Sequence, residues 1–179
     1  MITRSGVGLI ALLITVAGTV QAKDVYQTPQ AFLAEAFSGE TPKPEMLWLS
    51  GALKVAATKI MGRPYAKLRV KYWRVNQRSA WVLEEIGKEK PITTGFVIDK
   101  DRIEHMKVLV FRETRGWEVK YPFFTRQFNG LRLKGDDELD GNIDGITGAT
   151  LSVSAVTRLS RLALFLNKHV KEKEQAKTC

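Results

Sequence analysis

The sequence has almost no cysteine, and this scarcity excludes several kinds of site. Cys179, the last of the 179 residues, is the one cysteine. An intramolecular disulfide therefore cannot form, and cysteine ligation of a metal or an iron–sulfur cluster is excluded. The pattern C-x-x-C-H is missing, so the chain attaches no c-type haem. The hydrolase patterns G-x-S-x-G and H-E-x-x-H are missing too, and we predict no metal site.

The chain also lacks an apolar run of the length that a membrane span needs. Val7 to Val20 form a run of 14 residues broken only by Gly and Thr, whereas a spanning helix needs about 20. Arg4 precedes this run, and Val20-Gln21-Ala22 has the pattern that a signal peptidase reads. We therefore expect a signal peptide over residues 1–22, cleaved after Ala22, and a periplasmic protein. An uncleaved N-terminal anchor is the alternative.

Acidic residues are fewer than basic ones, 19 against 28, which gives a formal net charge of +9. Such a charge favours attraction to an anionic membrane surface, an acidic partner protein or a nucleic acid. Export makes nucleic acid the weakest of these, and we predict no nucleic-acid partner. The basic residues of the segment Lys67 to Val75 alternate along a predicted strand, which indicates a solvated outer face rather than a nucleic-acid groove. Association with the membrane surface stays open.

The hydrophobic periodicity predicts an α+β fold: an antiparallel sheet with flanking helices in a single domain. A first helix begins at Thr28-Pro29, and a second has an apolar face from Met46 to Ile60 and ends at Gly62. Near Lys67 the period changes to two. The predicted strands are Lys67 to Val75, Ala80 to Ile86, Ile92 to Asp99, Arg102 to Phe111 and Leu131 to Lys134, with a short helix at Pro122.

The last predicted element is a helix that begins near Thr150. Its apolar stripe comprises Leu151, Ala155, Leu159, Leu162, Leu166 and Val170, with Arg158, Arg161 and Lys168 off the stripe. The Lys/Glu-rich residues 171–179 are expected to form a frayed, charged tail.

The segment before this helix, residues 140–152, reads D-G-N-I-D-G-I-T-G-A-T-L-S and is the most informative part of the chain. Its glycines permit tight bends, and a helix start near Thr150 would suit an anion such as phosphate. The plainest alternative is that the threonines only cap the helix. A second alternative is calcium, because Asp140, Asn142 and Asp144 match the first half of an EF-hand loop. The twelfth position is Leu151, however, where that loop requires Glu.

The segment Asp144 to Thr150, D-G-I-T-G-A-T, resembles the flavinylation motif of a known family. These are the FMN-binding domains of the C subunit of the sodium-pumping NADH:quinone oxidoreductase and of the G subunit of the Rnf complex. The resemblance extends more weakly over residues 67–167. Glu113-Thr114-Arg115-Gly116 is similar to the family's E-T-P-G turn, with Arg115 in place of Pro, and Gln127-Phe128 to its Q-F.

The resemblance implies that a separate flavin transferase attaches FMN to Thr150 through a phosphoester. Asp144 would serve recognition by the transferase or the geometry of the loop. Thr147, Gly148 and Ala149 would line the phosphate, Thr114 would contact the flavin, and Trp117 would pack on its ring. Ser152 matches a further Ser/Thr position of the motif. The implied organisation is a signal peptide (1–22), an N-terminal helical segment (23–66), an FMN-binding domain (67–170) and a charged tail (171–179).

The function implied is that of an exported electron-transfer protein with covalent FMN. It would pass electrons between a membrane-side donor and a periplasmic acceptor, as a redox carrier or subunit rather than a stand-alone enzyme. Two alternatives remain: a calcium-dependent periplasmic binding module that uses the loop Asp140–Asp144, and a flavin reductase that acts on a small acceptor.

Overall fold

The computed structural model describes residues 25–178, and its centre is a five-stranded antiparallel sheet in which neighbours in sequence are neighbours in space. The five strands are β1 (Glu45–Trp48), β2 (Arg69–Val75), β3 (Arg78–Ile86), β4 (Pro91–Asp99) and β5 (Arg102–Phe111). A small second sheet pairs β6 (Leu133–Lys134) with β7 (Glu138–Leu139). The α-helices are α1 (Pro29–Ala36), α2 (Gly51–Met61), α3 (Pro122–Thr125) and α4 (Thr150–Thr178). Short 3-10 helices, η1 (Trp117–Lys120) and η2 (Arg126–Phe128), flank α3.

Tight turns connect the central strands. Lys100 and Asp101 both have positive φ, 47° and 69°, as a two-residue hairpin turn of the primed type requires. The carboxylate of Asp101 accepts hydrogen bonds from Asn167 at 3.3 Å and from Lys171 at 2.5 Å. The hairpin predicted at Asp99-Lys100-Asp101 is therefore present, and it also anchors helix α4.

Helices cover both faces of the sheet. On one face α4 and α2 bury a large apolar cluster that includes Trp81 and Leu83 of β3. On the other face α1 buries a smaller cluster with Ala80 and Val97. Gly95 is required here because a Cβ at this position would lie 2.7 Å from the ring of Phe32. Since successive residues of a strand face opposite sides, both clusters draw on the same strands.

The α+β class, the antiparallel sheet and the flanking helices are as predicted, and β5 has the predicted bounds. One prediction was wrong: Met46 and Leu47 do not continue the second helix but lie in β1, which pairs with β2. The apolar run 46–49 fits either period. Pairing with the free edge of β2 makes this run a strand, in which Leu47 is buried between exposed neighbours.

Two expectations for the last helix were also wrong. Leu151 was placed on the buried stripe but is 52% exposed. Helix α4 does not fray after Val170 but continues to Thr178. Ion pairs stabilise this extension, because Lys171 pairs with Asp101 and Glu174 with Arg74.

No helix within residues 25–178 is long and apolar enough to cross a membrane. The predicted signal peptide, residues 1–22, lies outside the described residues, and so does Cys179.

Candidate functional site

The predicted motif forms an exposed loop that leads directly into α4. Thr150 is the first residue of the helix and its side chain is exposed, while Ala149 is buried just before it. Gly148 has a φ of 80°, a conformation that favours glycine, and it makes the turn into the helix. The loop therefore exposes Thr150, Thr147 and Asp144 to solvent, while the buried Ala149 holds it against the protein.

The start of α4 has the electrostatic character of an anion site. The N–H of Val153 is bonded to the carbonyl of Ala149 at 2.9 Å. The N–H groups of Thr150, Leu151 and Ser152 have no hydrogen-bond acceptor among residues 25–178. No acidic residue occupies the first turn, so nothing there offsets the positive end of the helix dipole. The exposed hydroxyl of Thr150 thus lies beside backbone N–H groups that are available to donate hydrogen bonds, and such groups suit a phosphate.

The turn of residues 113–116 packs directly on this helix start. Gly116 has a φ of 84°, and a Cβ there would lie 2.6 Å from Oγ of Ser152 and 3.4 Å from Cβ of Ala149. Only glycine permits this close approach. The structure therefore brings together the two segments on which the family resemblance rests, although Gly116 and Ala149 are 33 positions apart in the sequence.

Gln127 fixes the other end of the motif loop. Its side-chain oxygen accepts a hydrogen bond of 2.7 Å from the backbone N–H of Asp144. Phe128, the next residue, is fully buried and contacts Phe124 edge to face. The Gln127-Phe128 pair therefore connects the motif to the core, while the carboxylate of Asp144 stays exposed.

Glu113 has a role that the sequence did not reveal. One of its carboxylate oxygens accepts three backbone N–H groups, from Lys88, Glu89 and Lys90, at 2.5, 2.7 and 2.9 Å. Burial raises the pKa of this carboxyl, but the three donors outweigh it and leave the pKa of Glu113 below its ordinary value. Glu113 thereby fastens the β3–β4 turn to the turn that touches α4.

Trp117 belongs to an exposed aromatic group rather than to the core. It is 42% exposed, and its ring meets Tyr121 edge to face at 5.6 Å. The ammonium of Lys120 lies 4.1 Å from the ring centre of Tyr26 and 5.2 Å from those of Trp117 and Tyr121. Thr114 is exposed as well. Of the predicted flavin contacts, Trp117 and Thr114 therefore lie on or beside the turn that packs against α4, open to solvent.

A cavity of about 760 Å³ beside α4 was not predicted from the sequence. It lies between the end of α2, the loop 138–143 and the face of α4 that carries Ser154, Thr157 and Arg161. Thr150 is on the same helix face, because positions four, seven and eleven residues apart align. The sequence showed that Arg158 and Arg161 lie off the apolar stripe of α4. It did not show that they line a cavity together with residues of α2.

In the loop proposed as half of an EF-hand, Asp140 is bonded to an arginine. Asp140 accepts hydrogen bonds from the N–H of Arg132 at 3.0 Å and from its guanidinium at 3.1 Å. Within residues 25–178, no group of three or more His, Cys, Asp or Glu side chains could hold a metal ion. The local arrangement around Asp140 is that of an arginine-bound carboxylate.

The comparison with protein families agrees with this geometry. The family model of the FMN-binding domain matches residues 87–164, a span that runs from the β3–β4 turn into the middle of α4. The chain therefore contains a segment that matches the FMN-binding domain, as the motif predicted, and this match supports FMN as its cofactor. No curated protein was found to match the chain.

Proposed function

We propose that this chain is an exported electron-transfer protein that carries FMN covalently, through a phosphoester to Oγ of Thr150. The observation that carries the proposal is the position of Thr150. It is an exposed hydroxyl at the first residue of a long helix, within the flavinylation-like motif of an FMN-binding domain.

Access supports attachment by a separate flavin transferase. An enzyme must reach the acceptor hydroxyl, and Thr150, Thr147 and Asp144 are all exposed on one loop. The loop is also held in place, by the Gln127 bond to Asp144 and by the packing of Gly116 on Ser152. A held, accessible loop presents one shape to the transferase, and recognition loses little free energy to ordering the loop.

The attachment step balances with FAD as the co-reactant. Oγ of Thr150 would attack the flavin-side phosphorus of the FAD pyrophosphate and form a new P–O bond. The bond to the other phosphate would break, AMP would leave, and the hydroxyl proton would pass to solvent. The free N–H groups of residues 150–152 would then face the negative phosphodiester.

When bound, the flavin supplies the redox chemistry, and the protein supplies position and electrostatics. Gly148 and Ala149 would allow close approach of the phosphate, and Thr147 would line it. Thr114 would contact the flavin, and Trp117, which is 42% exposed, would pack against its ring. The open position of these groups suits electron exchange with a partner protein.

A covalent bond is of particular value outside the cytoplasm, where released FMN would be lost by dilution. Because residues 1–22 have the pattern of a signal peptide, we propose that the protein is periplasmic. There it would pass electrons between a membrane-side donor and a periplasmic acceptor. Loss of residues 1–22 removes Arg4 and no acidic residue, so the net charge falls from +9 to +8, which favours an acidic partner or the anionic membrane surface.

Flavin fluorescence after denaturing electrophoresis tests the proposal. The protein co-produced with a flavin transferase should give a fluorescent band, because an ester survives denaturation. Thr150→Ser should keep the band and Thr150→Ala should lose it. Thr41→Ala, which alters an exposed threonine outside the motif, should keep the band as the matched control. Fluorescence that persists in Thr150→Ala would overturn the assignment of the acceptor.

A further inference from the structure

The cavity between α2, the loop 138–143 and α4 is lined by an excess of positive charge. Four cationic side chains line it, and Glu138 is the one acid among the lining residues. The cations are Lys59 and Arg63 from α2 and the residues after it, and Arg158 and Arg161 from α4.

Two of these cations already have acidic partners. Lys59 pairs with Asp137 at 2.7 Å, and Arg63 pairs with the buried carboxylate of Glu85. Arg63 also donates a hydrogen bond to the carbonyl of Ile86. Asp137 and Glu85 therefore neutralise Lys59 and Arg63.

Arg158 and Arg161, in contrast, have no acidic partner among the described residues. Among residues 25–178 no carboxylate pairs with either guanidinium. The Nε atoms of both arginines are buried and have no hydrogen-bond partner, and the buried hydroxyl of Thr157 has none either. Burial, with the neighbouring charges of Arg63 and Arg161, lowers the pKa of Arg158.

Unpaired guanidinium donors in a half-buried wall destabilise the chain unless an anion occupies the cavity, since buried donors without partners are costly. The planar fork of N–H donors in a guanidinium group can also donate to two oxygens of a phosphate or carboxylate at once. We propose that this cavity is a binding site for an oxyanion, a phosphate or carboxylate group, held by Arg158, Arg161 and Thr157.

The oxyanion has two possible sources with the same chemistry. One is a free small molecule that carries phosphate or carboxylate groups. The other is the flavin phosphate on Thr150, which shares the helix face of Thr157 and Arg161. The binding site itself does not depend on flavin attachment, so it can be tested on flavin-free protein.

Calorimetric titration of sodium phosphate into flavin-free protein tests the proposal. Arg158→Gln/Arg161→Gln should bind phosphate at least tenfold more weakly than the unaltered chain. Arg69→Gln/Lys71→Gln, which removes the same charge from the exposed face of β2, should bind as the unaltered chain does. The Arg158/Arg161 variant should keep its circular dichroism spectrum and melt no lower, because it removes two mutually repelling charges.

The same titration on flavinylated protein separates the two sources. Phosphate that still binds indicates a free oxyanion, and phosphate that no longer binds indicates the flavin phosphate. The proposal is overturned if flavin-free protein binds phosphate no better than the Arg158/Arg161 variant. It is also overturned if the β2 control variant loses as much affinity. Neither result would bear on Thr150 as the flavin acceptor.

Discussion

At the scale of single residues, a comparison of two glycines with similar φ tests the contact between the 113–116 turn and α4. Gly116 and Gly130 have φ of 84° and 82°, but a Cβ at Gly130 meets nothing within 4 Å. Alanine at either position carries a left-handed strain of about 1–2 kcal/mol. Alanine at Gly116 must also displace Ser152.

We therefore expect Gly116→Ala to lower the free energy of unfolding by about 1–3 kcal/mol more than Gly130→Ala does. Urea unfolding of both variants measures the difference. We also expect Gly116→Ala, but not Gly130→Ala, to slow flavin attachment. Equal losses of stability in both variants would show that the turn does not press on α4.

Glu113 makes a second residue-scale prediction, which depends on pH. Its pKa is held low in the folded chain, so its stabilising effect is fully present above the unfolded pKa of about 4.3. The effect is lost as the pH falls through the folded pKa. Glu113→Gln should lower the free energy of unfolding at pH 7 by about 1–2 kcal/mol, since hydrogen bonds to a charged group are lost.

This difference between Glu113→Gln and the unaltered chain should shrink towards zero as the pH falls through the folded pKa of Glu113, because the carboxyl then becomes protonated. Urea unfolding at pH 7 and over a series of acidic pH values checks it, with the exposed Glu40→Gln as the control. A difference that stays constant with pH would rule out a charge-dependent bond to the β3–β4 turn.

At the scale of elements, the motif loop depends on Gln127 for its shape. Gln127→Ala removes the hydrogen-bond acceptor of the Asp144 N–H. Because the bond is exposed, we expect less than about 1 kcal/mol of lost stability, but faster exchange of the Asp144 amide hydrogen. Flavin attachment should slow at the same time.

Hydrogen exchange and the rate of flavin attachment should be measured together on Gln127→Ala. Arg126→Ala, one residue earlier and exposed, is the matched control. Unchanged exchange at Asp144 would mean that the bond does not order the loop.

Elements that local sequence signals determine could be predicted, whereas elements that contacts between distant residues determine could not. The hairpin β4–β5 and the start of α4 follow from local signals, a turn at Asp99–Asp101 and the onset of an apolar stripe at the motif. The strand β1 could not be predicted, because its four residues carry no period of their own and pairing with β2 decides their conformation. The extension of α4 beyond Val170 likewise depends on ion pairs across 70 residues of sequence, as between Lys171 and Asp101.

The residues of the site also fall into those that the sequence indicated and those that it did not. The sequence indicated Thr150 and the turn near Gly116 through their likeness to a family, and the family comparison bears out the flavin-binding class. It did not indicate that Glu113 fastens the β3–β4 turn, or that Arg158 and Arg161 meet Arg63 across a cavity. These contacts depend on the fold, because the residues lie far apart in the chain.

At the scale of the whole molecule, the segment before residue 67 is part of the structure that supports the site. The strand β1 completes the sheet, and Tyr72 of β2 donates a hydrogen bond of 2.6 Å to Glu45. Helix α2 packs on α4, and α1 covers the second face of the sheet through fully buried Phe32.

We therefore expect a chain that begins at residue 67 not to fold cooperatively, although it contains the whole span matched to the FMN-binding domain. Removal of α1 exposes the second apolar face of the sheet, and removal of α2 exposes part of the face that α4 covers. Native stability is only about 5–15 kcal/mol, so such losses are large. Thermal unfolding by circular dichroism measures this, with a chain that begins at Lys23 as the control. A cooperative transition in the shorter chain would make the N-terminal segment a separate unit.

The central claim concerns one atom, Oγ of Thr150, and intact mass spectrometry tests it most directly. The protein co-produced with a flavin transferase should gain the mass of one FMN less one water. Fragmentation should place the added mass on Thr150, and Thr150→Ala should gain nothing. Unmodified protein, with the transferase shown to be active on a control substrate, would contradict the covalent attachment, as would the same gain on another residue.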